Sequence, residues 1–233
     1  MRNFTSKKNS FIILALAVCS IFLSSCGKTD VTDTTVSYLR VVNGSPSLAT
    51  FNVYLSGNII NSAALPFAGS TSYTSRSSGA YNLKFTSASS AEALFSKDIT
   101  LKPSTNYSYY LVNKPGQLDG FIVSDDLSVS SNDKAYIRFI NLSTDAVAFD
   151  LAKTGATTSL ITNKTYKTAS SFIAVDAGTI SFDIKDTSTG IIRATQTDVV
   201  LSAGIHYDVI SGGLINPAND TEKALTIQVL AIK

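Results

Sequence analysis

The sequence predicts an all-β protein: two tandem immunoglobulin-like β-sandwich domains after an N-terminal signal segment. Three observations predict it. Short runs rich in Val, Ile, Tyr and Phe alternate apolar with polar residues, the period-two pattern of a strand with one buried face. Clusters of Gly, Asn, Asp, Pro and Ser separate these runs as turns do. The order of the runs in the first half of the chain is repeated in the second. Hydrophobic residues make up 44% of the 233 residues and charged ones 15%, so a core can form and the signature of a disordered chain is absent. The formal net charge is +2, and no cluster of Lys and Arg suggests a nucleic-acid partner.

The first element is a targeting segment. Residues 1–10 carry Arg2, Lys7 and Lys8 and no acid, and "FIILALAVCSIFL" follows as 13 uncharged residues. A basic start and an apolar run of about 7–15 residues make a secretory signal. A transmembrane helix needs about 20 apolar residues. The run ends in Leu23-Ser24-Ser25-Cys26, which resembles the lipobox of bacterial lipoproteins. That resemblance implies cleavage between Ser25 and Cys26, with acylation (palmitate among the lipids) of Cys26. The only other cysteine, Cys19, would leave with the signal, so the mature chain has no internal disulfide. Cleavage leaves 208 residues and moves the net charge from +2 to −1. The expected anchor is the outer membrane of the cell envelope, through the N-terminal lipid. Asp30 and Asp33 in the polar tether, residues 26–35, loosely fit export to the cell surface.

Two modules follow: residues 36–126, a linker at 127–134, and residues 135–233. "YLRVVNGSP" at 38–46 matches "YIRFINLST" at 136–144, so Tyr38, Arg40, Asn43 and Ser45 pair with Tyr136, Arg138, Asn141 and Ser143. Further on, "SGAYNLKF" pairs with "AGTISFDI", Leu101 with Leu201 and Tyr107 with Tyr207. The offset drifts from 98 to 100, as single insertions in loops produce. Strands are expected at 36–43, 51–56, 70–75, 80–86, 93–101, 107–112 and 120–124. The second set is 135–141, 147–152, 168–175, 179–185, 193–201, 206–211 and 224–231. Seven strands in about 100 residues suggest a sandwich. Trp is absent and there is no inter-sheet cysteine pair, so an antibody-like domain is excluded.

These residues resemble the DUF4397 family. The family's Arg-hydrophobic-hydrophobic-Asn-x-Ser-Pro start appears as "LRVVNGSPSLATFNVYL" and "IRFINLSTDAVAFDLA". Its later Leu-x-x-Gly-x-x-Tyr motif appears as "LKPSTNY" and "LSAGIHY". Thr144 stands where the family has Pro, and the first copy lacks the Gly before Tyr107. The resemblance implies export or envelope anchoring and brings no catalytic residues.

Chemistry is sparse. His206 is the only histidine and the mature cysteine is the lipid site, so a metal site of ordinary N/S type is not expected. His206 and Asp208 are read as pointing apart rather than as a dyad, with His206 solvated or at an edge. Asp125, Asp126 and Asp133 read as solvated linker acids, with a Ca²⁺ site at the junction as the alternative. Arg40 and Arg138 are assigned to an outer face or edge, in a structural pairing with Asn52 and Asp150. In "NYSYYLV", Tyr107 and Tyr109 share one face and Tyr110 takes the other, which makes Tyr110 the candidate ligand contact. The expectation is a non-enzymatic binding, adhesion or structural module with no cofactor and no metal. Its ligand would be a protein or a glycan. The alternative is a carbohydrate-binding or carbohydrate-processing envelope protein.

Overall fold

The computed structural model describes residues 35–232. The expected signal segment, Ser25, Cys26 and the expected tether up to residue 34 lie outside the described residues. Among the described residues every regular element is a strand.

The first half holds β1 (Val36–Asn43), β2 (Phe51–Leu55), β3 (Asn58–Ile59), β4 (Thr74–Ser77), β5 (Gly79–Ser87), β6 (Ala93–Leu101), β7 (Asn106–Val112) and β8 (Asp119–Asp125). The second holds β9 (Lys134–Asn141), β10 (Phe149–Lys153), β11 (Ser159–Lys164), β12 (Thr168–Ala169), β13 (Ile173–Asp176), β14 (Gly178–Asp186), β15 (Ile192–Leu201), β16 (His206–Gly212) and β17 (Thr226–Ile232). Every expected strand has a counterpart within a few residues. Three details differ. The short β3 and the longer β11 fall in polar stretches without clear alternation. The expected 168–175 strand is broken into β12 and β13, both paired with β9.

Each half is a two-sheet sandwich. The first stacks β4-β1-β7-β8 on β3-β2-β5-β6; the second stacks β12-β9-β16-β17, with β13 also on β9, against β11-β10-β14-β15. The strand order is its own: β1 and β2 lie in opposite sheets, whereas the immunoglobulin plan starts with two strands of one sheet. β1 runs parallel to β7, and β9 parallel to β16. Alternation sets each core. Leu39 and Val41 of β1 meet Val53, Leu83, Phe85 and Leu111 inside the first sandwich. Ile137 and Phe139 of β9 meet Leu151, Phe182, Ile184 and Val209 inside the second.

A third core lies between the halves. Val42, Tyr110, Val112, Ile140, Leu142 and Ile210 are at most 1% exposed and pack together. They belong to β1, β7, β9 and β16 or their ends, and occupy the faces turned away from the two sandwich cores. Burying each aliphatic side chain contributes about 1.5–3 kcal/mol. The sheet β4-β1-β7-β8 is therefore packed face to face with β12-β9-β16-β17. Residues 35–232 belong to one compact unit rather than two beads on a linker.

The repeated motifs have structural jobs. Asn43 accepts from Ser45 N at 3.0 Å and donates to Leu65 O at 3.0 Å. Asn141 likewise accepts from Ser143 N at 3.0 Å and donates to Lys164 O at 3.0 Å. Each Asn side chain thus turns the chain after the first strand and ties it to a distant loop. Tyr107 and Tyr207 accept from the backbone of Lys102 and Ser202 at 3.2 and 2.9 Å, closing the turn before their own strands. Gly204 in that turn has φ +74°. Ser104 holds the matching place at φ 53°, a left-handed conformation that is costly for a residue with a Cβ.

Candidate functional site

Arg40 and Arg138 are the largest fully buried side chains, each 1% exposed. Their strands explain this. Val41 and Phe139 turn into the sandwich cores, so each Arg turns the other way, and that way is the opposing half. An unpaired buried guanidinium would be prohibitive. Each half supplies one buried Asp in answer: Asp125 ends β8 and Asp208 sits on β16.

The pairing crosses the junction. Arg40 Nη2 donates to Asp208 Oδ2 in the other half. Arg138 Nε donates to Asp208 Oδ1 at 2.6 Å. Arg138 Nη1 lies 2.6 Å from Asp125 Oδ1, an ion pair that also crosses. Tyr110 donates its hydroxyl to Asp208 Oδ2 at 2.6 Å and accepts from Arg138 Nη2 at 2.8 Å. Arg40 Nε donates to Ser108 Oγ at 3.3 Å, and Ser108 donates to Asp125 Oδ2 at 2.7 Å. The Tyr73 hydroxyl donates to the same oxygen. Two cations and two anions make the cluster neutral overall, with Arg40 Nη1 left unpartnered.

The electrostatics follow. Burial alone would lower the Arg40 and Arg138 guanidiniums, but the facing Asp208, with Tyr110 and Asp125, outweighs it and raises both above their ordinary value. Burial first, and the adjacent Asp208 second, pushes the Tyr110 phenol well up. Tyr73 is raised by burial and by Asp125. Both guanidiniums therefore stay charged at neutral pH, and both phenols stay protonated.

The arrangement corrects several sequence expectations. Tyr110 is not a surface contact: it is 0% exposed, and its hydroxyl is held by Asp208 and Arg138. Tyr107 and Tyr109 are buried too. The face expected to meet water meets the second half instead. Arg40 and Arg138 do not pair with the second strand. Asn52 reaches Ser87 O at 3.5 Å, and Asp150 accepts from Asn163 N at 2.8 Å and Thr187 Oγ1 at 2.6 Å. His206 is 5% exposed, stacked on Tyr136 at 4.6 Å and edge-on to Phe172 at 4.8 Å. Burial lowers its imidazole below the ordinary value. His206 and Asp208 are two residues apart, so they share a strand face rather than point apart. They still form no dyad, because the carboxylate is taken by Arg40, Arg138 and Tyr110. Of the three linker acids, Asp125 is buried in the network, Asp126 accepts from Ser128 N at 3.0 Å, and Asp133 accepts from Ser131. Among the described residues no group of three or more His, Cys, Asp or Glu could hold a metal. Ser25 and Cys26 lie outside the described residues.

Asp208, weighed from the sequence only as a partner for His206, and Tyr73, not considered there, carry this site. A signal existed. The two arginines recur at a spacing of 98, but their acids do not: Ser108 stands where the second copy has Asp208. A repeated cation with unrepeated anions is what a pairing between copies leaves behind.

Around the network the halves make further contacts. Lys114 Nζ lies 2.7 Å from Glu222, Tyr166 donates to Asn113 Oδ1 at 2.8 Å, and Lys167 pairs with Asp119. Backbone bonds join Leu48 N to Thr221 O and Lys223 N to Pro46 O, both at 3.1 Å.

No curated protein matches the chain. Among solved structures it is similar to the Bacillus anthracis TIE protein, at 14% identity and TM-score 0.26, over 77% of this chain and 34% of that one. The chain thus spans about a third of that protein's length. It is also similar to a family 26 carbohydrate-binding module of Eubacterium rectale Amy13K, solved with maltoheptaose (12% identity, TM-score 0.25, 84% of this chain and 96% of that). A streptococcal virulence factor described as binding alpha-glucan is similar at 12% identity and TM-score 0.25, over 82% and 96%. The family model described as "Domain of unknown function (DUF4397)" matches residues 37–152. The matched span contains β1 to β9 and most of β10, and so holds both buried arginines. The chain is a DUF4397-domain protein, its domain matched over residues 37–152.

Proposed function

We propose that this chain is a non-enzymatic cell-envelope lipoprotein, anchored to the outer membrane through Cys26, whose single compact body serves binding, adhesion or assembly. One observation carries the non-enzymatic reading. In the buried network the groups that could do acid–base work, Asp125, Asp208 and Tyr110, are consumed by one another and by two guanidiniums. Such a network joins two sandwiches into one body instead of facing a substrate. The lipobox, Leu23 to Cys26, supports the anchor, and the polar tether after it suits presentation away from the bilayer.

The test is a Cys26→Ala variant followed by membrane fractionation. The variant is expected to leave the membrane fraction and to migrate differently from the lipidated form. A variant that stays membrane-bound at the original size refutes the anchor. Protease added to intact cells reports whether the body faces outward. Turnover of any glycoside by the purified chain refutes the non-enzymatic reading. A glycan-binding role is the second reading, favoured by a serine-lined cleft beside Arg138.

A further inference from the structure

A cleft of about 530 Å³ opens at the junction, beside the buried network. Arg138 and Phe172 line one side; Ser124, Asp126 and Ser128, from the end of β8 and the residues after it, line the other, with Ser171 at the β12–β13 break. Its size falls within the range of about 300–1,000 Å³ typical of ligand sites. The cleft needs both halves, since one wall comes from each.

Its origin lies in one difference between the repeats. Tyr73 and Phe172 occupy matching places, 99 positions apart. The Tyr73 hydroxyl reaches across to Asp125 and closes its side of the junction. Phe172 has no hydroxyl. Its ring lies 4.6 Å from the Arg138 guanidinium and edge-on to His206. The chain around it leaves the paired β9 ladder between Ala169 and Ile173, as the first copy leaves β1 between Ser70 and Thr74.

The polar atoms decide what fits. Arg138 is already paired with Asp125 and Asp208, and Asp126 is the cleft's remaining charge, so an anion finds no free cation and meets a carboxylate. A lone carboxylate does not make a Ca²⁺ site, which takes about six to eight oxygen ligands. A neutral hydroxyl-rich molecule fits better. Asp126 spends one oxygen on Ser128 N and can accept from a ligand hydroxyl with the other. The hydroxyls of Ser124, Ser128 and Ser171 can donate or accept. Phe172, with Ala169 and Ala174, offers apolar surface for a sugar's C–H face. Behind Tyr136 and Phe172, both of which line the cleft, the buried Nε2 of His206 has no partner.

We infer that the junction cleft is a glycan subsite for a neutral sugar of about disaccharide size, held by Asp126 and the serine hydroxyls against Phe172. This rests on the binding-module reading and names its ligand class.

His206 is the only histidine in the chain and packs behind Tyr136 and Phe172, so its ring NMR signals are unambiguous and lie one layer from the cleft. The full chain in detergent is titrated with maltose, cellobiose, mannobiose and diacetylchitobiose, and separately with sodium sulfate and calcium chloride. At least one disaccharide should shift the His206 signals saturably, with a dissociation constant of about 1 mM or tighter. Asp126→Asn and Phe172→Ala should each weaken it at least about tenfold, with Phe172→Tyr closer to wild type. Asp126 is exposed, so its variant tests the idea even where Phe172→Ala disturbs folding. The inference is overturned if no disaccharide shifts the signals, if sulfate or calcium alone does, or if Asp126→Asn binds as wild type. Cys26→Ala should leave this binding unchanged, which separates failure here from failure of the anchor.

Discussion

Replacing Arg138 with Met keeps much of the side-chain volume and removes the charge. In the wild type that guanidinium meets Asp208 at 2.6 Å, Asp125 at 2.6 Å and Tyr110 at 2.8 Å. Without it, two buried carboxylates share the single cation of Arg40, and the neutral cluster acquires a net negative charge. Removing one partner of a buried pair costs about 3–5 kcal/mol, most of it the penalty of the charge left behind. For a body of this size about 1 kcal/mol moves the melting temperature by about 2–4 °C, which makes the expected drop about 6–20 °C. Urea unfolding followed by Tyr fluorescence and circular dichroism gives the midpoint and slope. Wild type should unfold in one transition, because the third core and the network span both halves. Arg138→Met should lower the midpoint and separate the transitions of the two halves. Adding Asp208→Asn to Arg138→Met should cost less than the two single losses together, by about 0.5–3 kcal/mol, because the second change removes a charge the first left bare. The exposed pair Lys134–Asp176 serves as control: Lys134→Met should leave the midpoint unmoved. An Arg138→Met loss below about 1 kcal/mol would refute the claim that this network holds the halves together.

Tyr110→Phe should cost about 1.5–3 kcal/mol, the value of a hydrogen bond to a charged group, read as a lower urea midpoint. A Tyr110 acting as a surface ligand contact would leave stability untouched. Ser104→Gly should stabilise by about 0.5–1 kcal/mol, since it relieves a left-handed Ser, while Gly204→Ser should cost a similar amount or more; thermal melts decide both. His206 is held below its ordinary value by burial, so the unfolded chain takes up that proton first as pH falls. Its contribution should be full above about pH 6.5 and be lost progressively below it, and His206→Phe should flatten that part of the stability profile.

The sequence alone determined the strands and the duplication. Period-two alternation in "AYNLKFT" and "TISFDIK" is a local property, and both segments are strands with Leu83, Phe85, Phe182 and Ile184 buried. The repeat located Arg40 and Arg138. The fate of the face opposite each sandwich core belonged to the tertiary structure. Alternation says that a strand has two faces, and a second layer decides whether the outer one meets water. Val42, Leu142 and Ile210 on that face hinted at a cover, since strands buried on both sides read as unbroken apolar runs. The partners of the arginines were harder to see. Asp208 lies 168 positions from Arg40, in the other copy, and no local pattern links residues so distant. Burial, and with it the role of Tyr110, His206 and both arginines, was decided only when one sandwich closed over the other. A charge removed from water must find its partner there, wherever in the chain that partner lies.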